Sequence, residues 1–177
     1  IGSVASTGGT AILDSLAELS NRLAKVEGRR AIVLITDGYD EQSALSVDDA
    51  LAAAKAARAT VYVIGIGGVA GVSFKGERML RRIAAETGAK AFFPASEDQL
   101  ELVRGTLADD VRHRYVFAYT PSNQKMDGLW REITVRCEAP EYAVRARPGY
   151  FAPKPSPIKP TIEFTASLTE PAKSWKR

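Results

Sequence analysis

The sequence holds a single cysteine, Cys137, and a single histidine, His113. One thiol excludes an internal disulfide. One imidazole leaves His113 as the sole partner for any serine nucleophile, and no Gly-x-Ser-x-Gly elbow occurs. His113 stands in Arg112-His113-Arg114 at an expected helix end, where a basic side chain suits the helix dipole. Nothing here assembles a hydrolase. No apolar run reaches the roughly 20 residues of a bilayer-crossing helix. Ile1-Gly2-Ser3 begins without a leader pattern. Net charge is +3 with pI ≈ 9.0, but the lysines and arginines are scattered and form no stripe with aromatics. A nucleic-acid partner is therefore not indicated. Gly65-Ile66-Gly67 with Gly71 has the spacing G-x-G-x-x-x-G, one residue off a dinucleotide fingerprint.

What is present is an ordinary globular composition, 45% hydrophobic and 25% charged over 177 residues. The organising stretch is Ala31 to Asp40, AIVLITDGYD. Ala31 to Thr36 is short, uncharged and largely aliphatic, which reads as a parallel strand buried on both faces. It ends in Thr36-Asp37-Gly38. A carboxylate thus stands just past the carboxyl end of a central strand, where open α/β sheets bind ligands. Upstream, Ser6-Thr7-Gly8-Gly9-Thr10 forms a second polar loop that opens a helix.

That first helix is expected from Thr10 to Val26, with Ile12, Leu16, Leu19, Leu23 and Val26 as its stripe, Thr10 as N-cap and Gly28 as stop. Ser46 and Asp49 predict a capping box and a helix to about Arg58. Val61 to Ile66 is a second strand, so strand, helix and strand make a right-handed βαβ unit. Glu77 to Thr87 predicts a third helix with Met79, Leu80 and Ile83 inward and Gly88 as stop. Ala89 to Phe93 predicts a third strand. Ser96 and Gln99 predict a second capping box, opening a helix to about His113 with Leu100, Val103, Leu107 and Val111 as its stripe. The order of the three strands is expected to follow the chain.

The pattern then changes. Tyr115–Tyr119, Trp130–Cys137 and Tyr142–Arg147 are expected as an antiparallel meander, with Asp127-Gly128 as a turn. Ile133, Val135 and Cys137 alternate with Thr134 and Arg136, which places Cys137 on the apolar side. Trp130 and the tyrosines are expected to pack in the sheet. The segment from Pro148 to Pro160 reads as a proline-rich linker, with Thr161 to Leu168 as one more strand.

Gly8-Gly9-Thr10-Ala11, IVLITDG (residues 32–38) and VYVIGIG (residues 61–67) together resemble the later half of a von Willebrand factor type A (VWA) domain. More closely, with a tyrosine-threonine-proline turn and an RARPGYF ending, the chain resembles the VWFA-related proteins of acidobacteria. The resemblance covers roughly Ser6 to Pro153. It implies an α/β fold: a parallel Rossmann-like sheet with flanking helices, incomplete at its N-terminal side, followed by a small antiparallel β-meander. The expected division is 1–113 for the α/β portion, 114–152 for the β extension and 153–177 for the tail.

Such domains commonly hold a divalent cation at a metal-ion-dependent adhesion site, with ligands from an Asp-x-Ser-x-Ser loop, a threonine and an aspartate. By motif, Thr10 matches the threonine and Asp37 the aspartate. Asp-x-Ser-x-Ser itself is absent from this sequence. The resemblance places its strand, and two more, ahead of Ile1, so the chain is expected to be a fragment, or else to have its sheet completed by another chain. Mg²⁺ is implied only where the missing loop is supplied. Asp40 and Glu41 are expected as solvated loop charges. The resemblance implies a non-catalytic protein-binding or adhesion module that captures an acidic side chain, exported from the cell. The alternative is a metal-independent structural or assembly subunit.

Overall fold

The computed structural model describes residues 9–66, 73–112, 115, 117–138 and 144–155. His113, Gly67, Gly71, Ser6 to Gly8 and the 161–168 strand lie outside these. The elements in chain order are α1 (Ile12–Leu23), β1 (Arg30–Thr36), α2 (Val47–Ala56), β2 (Ala59–Gly65), α3 (Phe74–Glu86), β3 (Ala91–Phe92), α4 (Glu97–Arg112), β4 (Trp130–Glu132) and β5 (Gly149–Phe151).

β1, β2 and β3 form one parallel sheet in that order, as the βαβ spacing predicts. Seven residues of β1 pair with seven of β2, from Arg30 opposite Ala59 to Thr36 opposite Gly65. β2 is buried along its whole length. The core gathers around it: Leu51 of α2 and Leu80 and Ile83 of α3 are at most 2% exposed. Burying each such side chain is worth roughly 1.5–3 kcal/mol. Where β2 meets α3, the Thr87 hydroxyl accepts the Val61 N–H at 3.0 Å and reaches the Ile83 carbonyl at 2.9 Å, so this buried polar group is satisfied.

The helix signals hold with three corrections. α1 ends at Leu23 with Ala24 as its C-cap, short of Val26 and of Gly28, and Leu19 and Val26 of its expected stripe are exposed. The Ser46–Asp49 capping box forms in full. Gly88 follows α3 with φ +78, a conformation that favours glycine. Ser96 caps α4 through the Gln99 N–H, but the Gln99 amide reaches back to the Ala95 N–H rather than to Ser96. Thr10 is not the N-cap of α1. Ala11 occupies that position and has no capping side chain.

Burial on both faces of β1 is expected from its apolarity and is not found. Ile32 is buried, but Val33 is 44% and Ile35 60% exposed, and among the described residues β1 pairs with β2 alone. An apolar run shows what a strand tolerates on its faces, not what covers them. The stripe of α4 is likewise only half covered, with Leu100 and Val111 exposed.

The meander is smaller than expected. β4 and β5 pair antiparallel over three residues each, and Trp130 meets Phe151 edge-on at 5.0 Å. Residues 117–119 and 144–147 form no strand. Cys137 is exposed, as is Val135, so the expected inward register fails. The alternation beyond Glu132 has no partner strand among the described residues to bury it. Tyr115, expected in sheet packing, instead stacks on Phe117, and the two are 83% and 82% exposed.

Candidate metal centre

Asp37, one of the two residues matched by motif, directly follows the last residue of β1. The Thr36 hydroxyl accepts the Gly38 N–H at 3.1 Å, and Gly38 turns the chain with φ +87. Asp37 is left exposed between them. One of its carboxylate oxygens accepts the Tyr39 N–H at 3.2 Å, which fixes the side chain in a local turn. A Cβ on Gly76, in the first turn of α3, would run into the Gly38 carbonyl, so glycine there lets α3 approach the same turn.

Thr10 arrives from the other side. Its carbonyl accepts the N–H groups of Glu41 and Gln42 at 2.8 and 3.1 Å, which ties its loop to the loop after Asp37. The next link is reciprocal. Asp40 accepts the Ile12 N–H at 3.1 Å, and Ser43 accepts those of Leu13 and Asp14 at 3.0 and 3.2 Å. In return Asp14 accepts the Ala44 and Leu45 N–H groups at 3.0 and 2.9 Å. The start of α1 is therefore capped by a loop about thirty residues further on. The Ser43 hydroxyl donates to Asp40 at 2.7 Å and completes the cluster.

Sequence reasoning missed this role for Asp40, Ser43 and Asp14. Asp40 is half-buried and engaged, not a solvated rim charge. The helix start carries no side-chain cap of its own, so its free N–H groups take acceptors from elsewhere.

The rim thus brings the Thr10 and Asp37 loops together, but backbone does the joining. No hydrogen bond between the Thr10 side chain and Asp37 is present among the described residues. A hydroxyl and a carboxylate are hard oxygen donors and fit Mg²⁺ in kind. They do not suffice in number: among the described residues no three of His, Cys, Asp and Glu gather as a metal group.

A model of the von Willebrand factor type A domain matches residues 3–106, more than half of the chain. The chain belongs to the von Willebrand factor type A family. The parallel sheet with flanking helices is the fold of a VWA domain, and such domains are generally non-catalytic modules that mediate protein interaction or adhesion, some of them through a bound Mg²⁺. Among solved structures the chain is similar to an uncharacterised membrane-spanning protein from Vibrio fischeri, at 26% identity and a TM-score of 0.43. That match covers 50% of this chain and 48% of the other, so the chain spans about half its length. No curated protein matches. No helix among the described residues is long and apolar enough to cross a membrane.

Proposed function

We propose that this chain is a non-catalytic protein-binding module whose rim captures an acidic side chain of a partner through a divalent cation. The observation that carries the reading is the backbone coupling of the Thr10 loop to the loop after Asp37, at the carboxyl end of β1, in a VWA chain. Thr10 and Asp37 would hold Mg²⁺, directly or through its waters, and Asp40 stays committed to capping α1. When bound, the ion offers an open position to a partner carboxylate. The remaining oxygens would come from an Asp-x-Ser-x-Ser loop that this sequence does not contain. The tyrosine-threonine-proline turn and the RARPGYF ending support placement among the VWFA-related proteins of acidobacteria, and with it export. The division at residues 113 and 152 belongs to the same proposal.

Titration calorimetry tests it. One carboxylate and one hydroxyl are a poor trap for an ion that holds its water tightly. The 177-residue chain alone is expected to bind neither Mg²⁺ nor Mn²⁺ at millimolar cation. A longer chain carrying the Asp-x-Ser-x-Ser loop is expected to bind. Asp37→Ala then abolishes binding and changes stability by no more than about 0.5 kcal/mol, as for other exposed positions. Tight binding by the short chain would mean the ligands are misplaced.

One observation favours the second reading, an assembly subunit whose sheet another chain completes without metal. Val33 and Ile35 are exposed on a strand whose one edge is unpaired among the described residues, and free edges of this kind recruit strands. A longer chain that carries the motif and still binds no cation would favour this reading.

A further inference from the structure

A cleft of about 470 Å³ lies along β5, far from the Asp37 rim. Arg58, which lines it, immediately precedes β2, so the cleft stands at the amino ends of the parallel strands. Its walls include Phe117, Tyr119, Met126 and Tyr150. Phe117 is 82% and Tyr119 59% exposed, and Tyr119 meets Tyr150 edge-on at 6.5 Å. The charged residues of the lining are Arg58 and Lys125, both cationic.

β5 has a free side. In its ladder with β4, Ile133 donates to Pro148 and Ala152 to Leu129, each at 2.8 Å. Bonded pairs alternate along an antiparallel ladder. Tyr150 is therefore bonded to Arg131, while Gly149 and Phe151 turn their N–H and C=O groups to the other side. Among the described residues no strand pairs there. Gly149 is buried, but Phe151 is 54% exposed.

We propose that this surface takes an extended acidic segment of a partner protein, added as a third strand on the open edge of β5. Strand addition gives main-chain bonds for affinity and places alternate side chains in a flanking pocket for specificity. Side chains on the Tyr150 and Ala152 face of such a strand enter the cleft. There they meet aromatic rings and two cations with no acid among the lining residues, which selects carboxylates. The proposal rests on the protein-binding reading of the chain but not on the cation. It is therefore tested in EDTA, and cation-dependent binding at the Asp37 rim would survive its failure.

The probe is an eight-residue peptide alternating valine with glutamate, acetylated and amidated, titrated into ¹⁵N-labelled protein. Its lysine counterpart and a version N-methylated at alternate residues serve as comparisons. Binding is expected to slow hydrogen exchange of the Phe151 amide at least tenfold. The Ala152 amide, already bonded to Leu129, stays unchanged. The lysine peptide binds at least tenfold more weakly and the N-methylated one not at all. Lys125→Glu and Tyr119→Ala each weaken binding at least fivefold, with β2 amide protection unchanged as the check on folding. Three results overturn the proposal: no shift at millimolar peptide, equal binding by the lysine peptide, or binding that leaves Phe151 exchange as it was.

Discussion

Asp40 shows how one side chain fixes a loop geometry. Its carboxylate accepts the Ile12 N–H and the Ser43 hydroxyl, and that places the start of α1 against the loop after β1. Removing a helix cap costs about 0.5–2 kcal/mol. Asp40 serves two partners at once, so Asp40→Ala is expected near the upper end, about 1–2 kcal/mol. Asp40→Asn keeps an acceptor oxygen and is expected to lose less. Thr10→Ala is expected within about 0.5 kcal/mol, because its hydroxyl caps nothing. Urea unfolding of the three variants ranks them. Thr10→Ala proving the more costly would return the cap to Thr10.

At the scale of elements, α2 and α3 are held side by side by charge. Glu86 receives Lys55 at 2.5 Å and Arg82 at 2.7 Å, and Arg82 also reaches Asp48 at 2.5 Å. Partial burial alone raises the Glu86 pKa, but the hydrogen bonds and charges of Lys55 and Arg82 outweigh it, so the net shift is downward. A carboxyl whose folded pKa is depressed stabilises the fold above its unfolded value, near 4.5. That contribution is lost as pH falls through the lower folded value. Stability by urea unfolding is expected to fall with acidification across this window, and less steeply in Glu86→Gln. Equal slopes in both proteins would mean the pair carries no net stabilisation.

The same elements show which features are legible in the sequence. Strand order, parallel direction and the Ser46 box follow from local patterns, namely apolar runs, cap spacing and short connections, so the sequence alone suffices for them. The cap on α1 is not legible in this way, because Asp40 and Ile12 are far apart in sequence and spacing rules act only within a few residues. The meander fails for a different reason. Alternation at Ile133, Val135 and Cys137 marks a strand that would be half-buried if something paired with it, and beyond Glu132 nothing among the described residues does. For Thr10 and Asp37 the motif points to two neighbouring loops, and backbone bonds do join those loops. The number of ligands they lack is equally plain from the absent Asp-x-Ser-x-Ser.

Across the whole molecule, order concentrates in β2 and thins outward in both directions. All seven residues of β2 are buried and it pairs on both sides. Among the described residues β1 pairs on one edge only, and it exposes Val33 and Ile35. β4 and β5 make a two-stranded sheet, an arrangement that is marginal on its own. Its ties to the α/β part include Lys55 over the Trp130 ring at 4.9 Å, Arg147 donating to the Arg58 carbonyl, and Arg145 paired with Asp110 of α4 at 2.6 Å. Local opening is easiest where buried apolar contacts are few. Amide exchange is therefore expected to be slowest at Val61 and Val63, where only global unfolding exposes the N–H. β1 is expected to be intermediate and β4 with β5 fastest among the strands. Both poles proposed for binding, the Asp37 rim and the β5 edge, then lie on the low-stability side of this gradient, where a partner stabilises what the chain alone leaves loose. Protection in β4 and β5 equal to that of Val61 would mean the extension unfolds only with the core, and would remove the free edge of β5 as a place where added order can be gained.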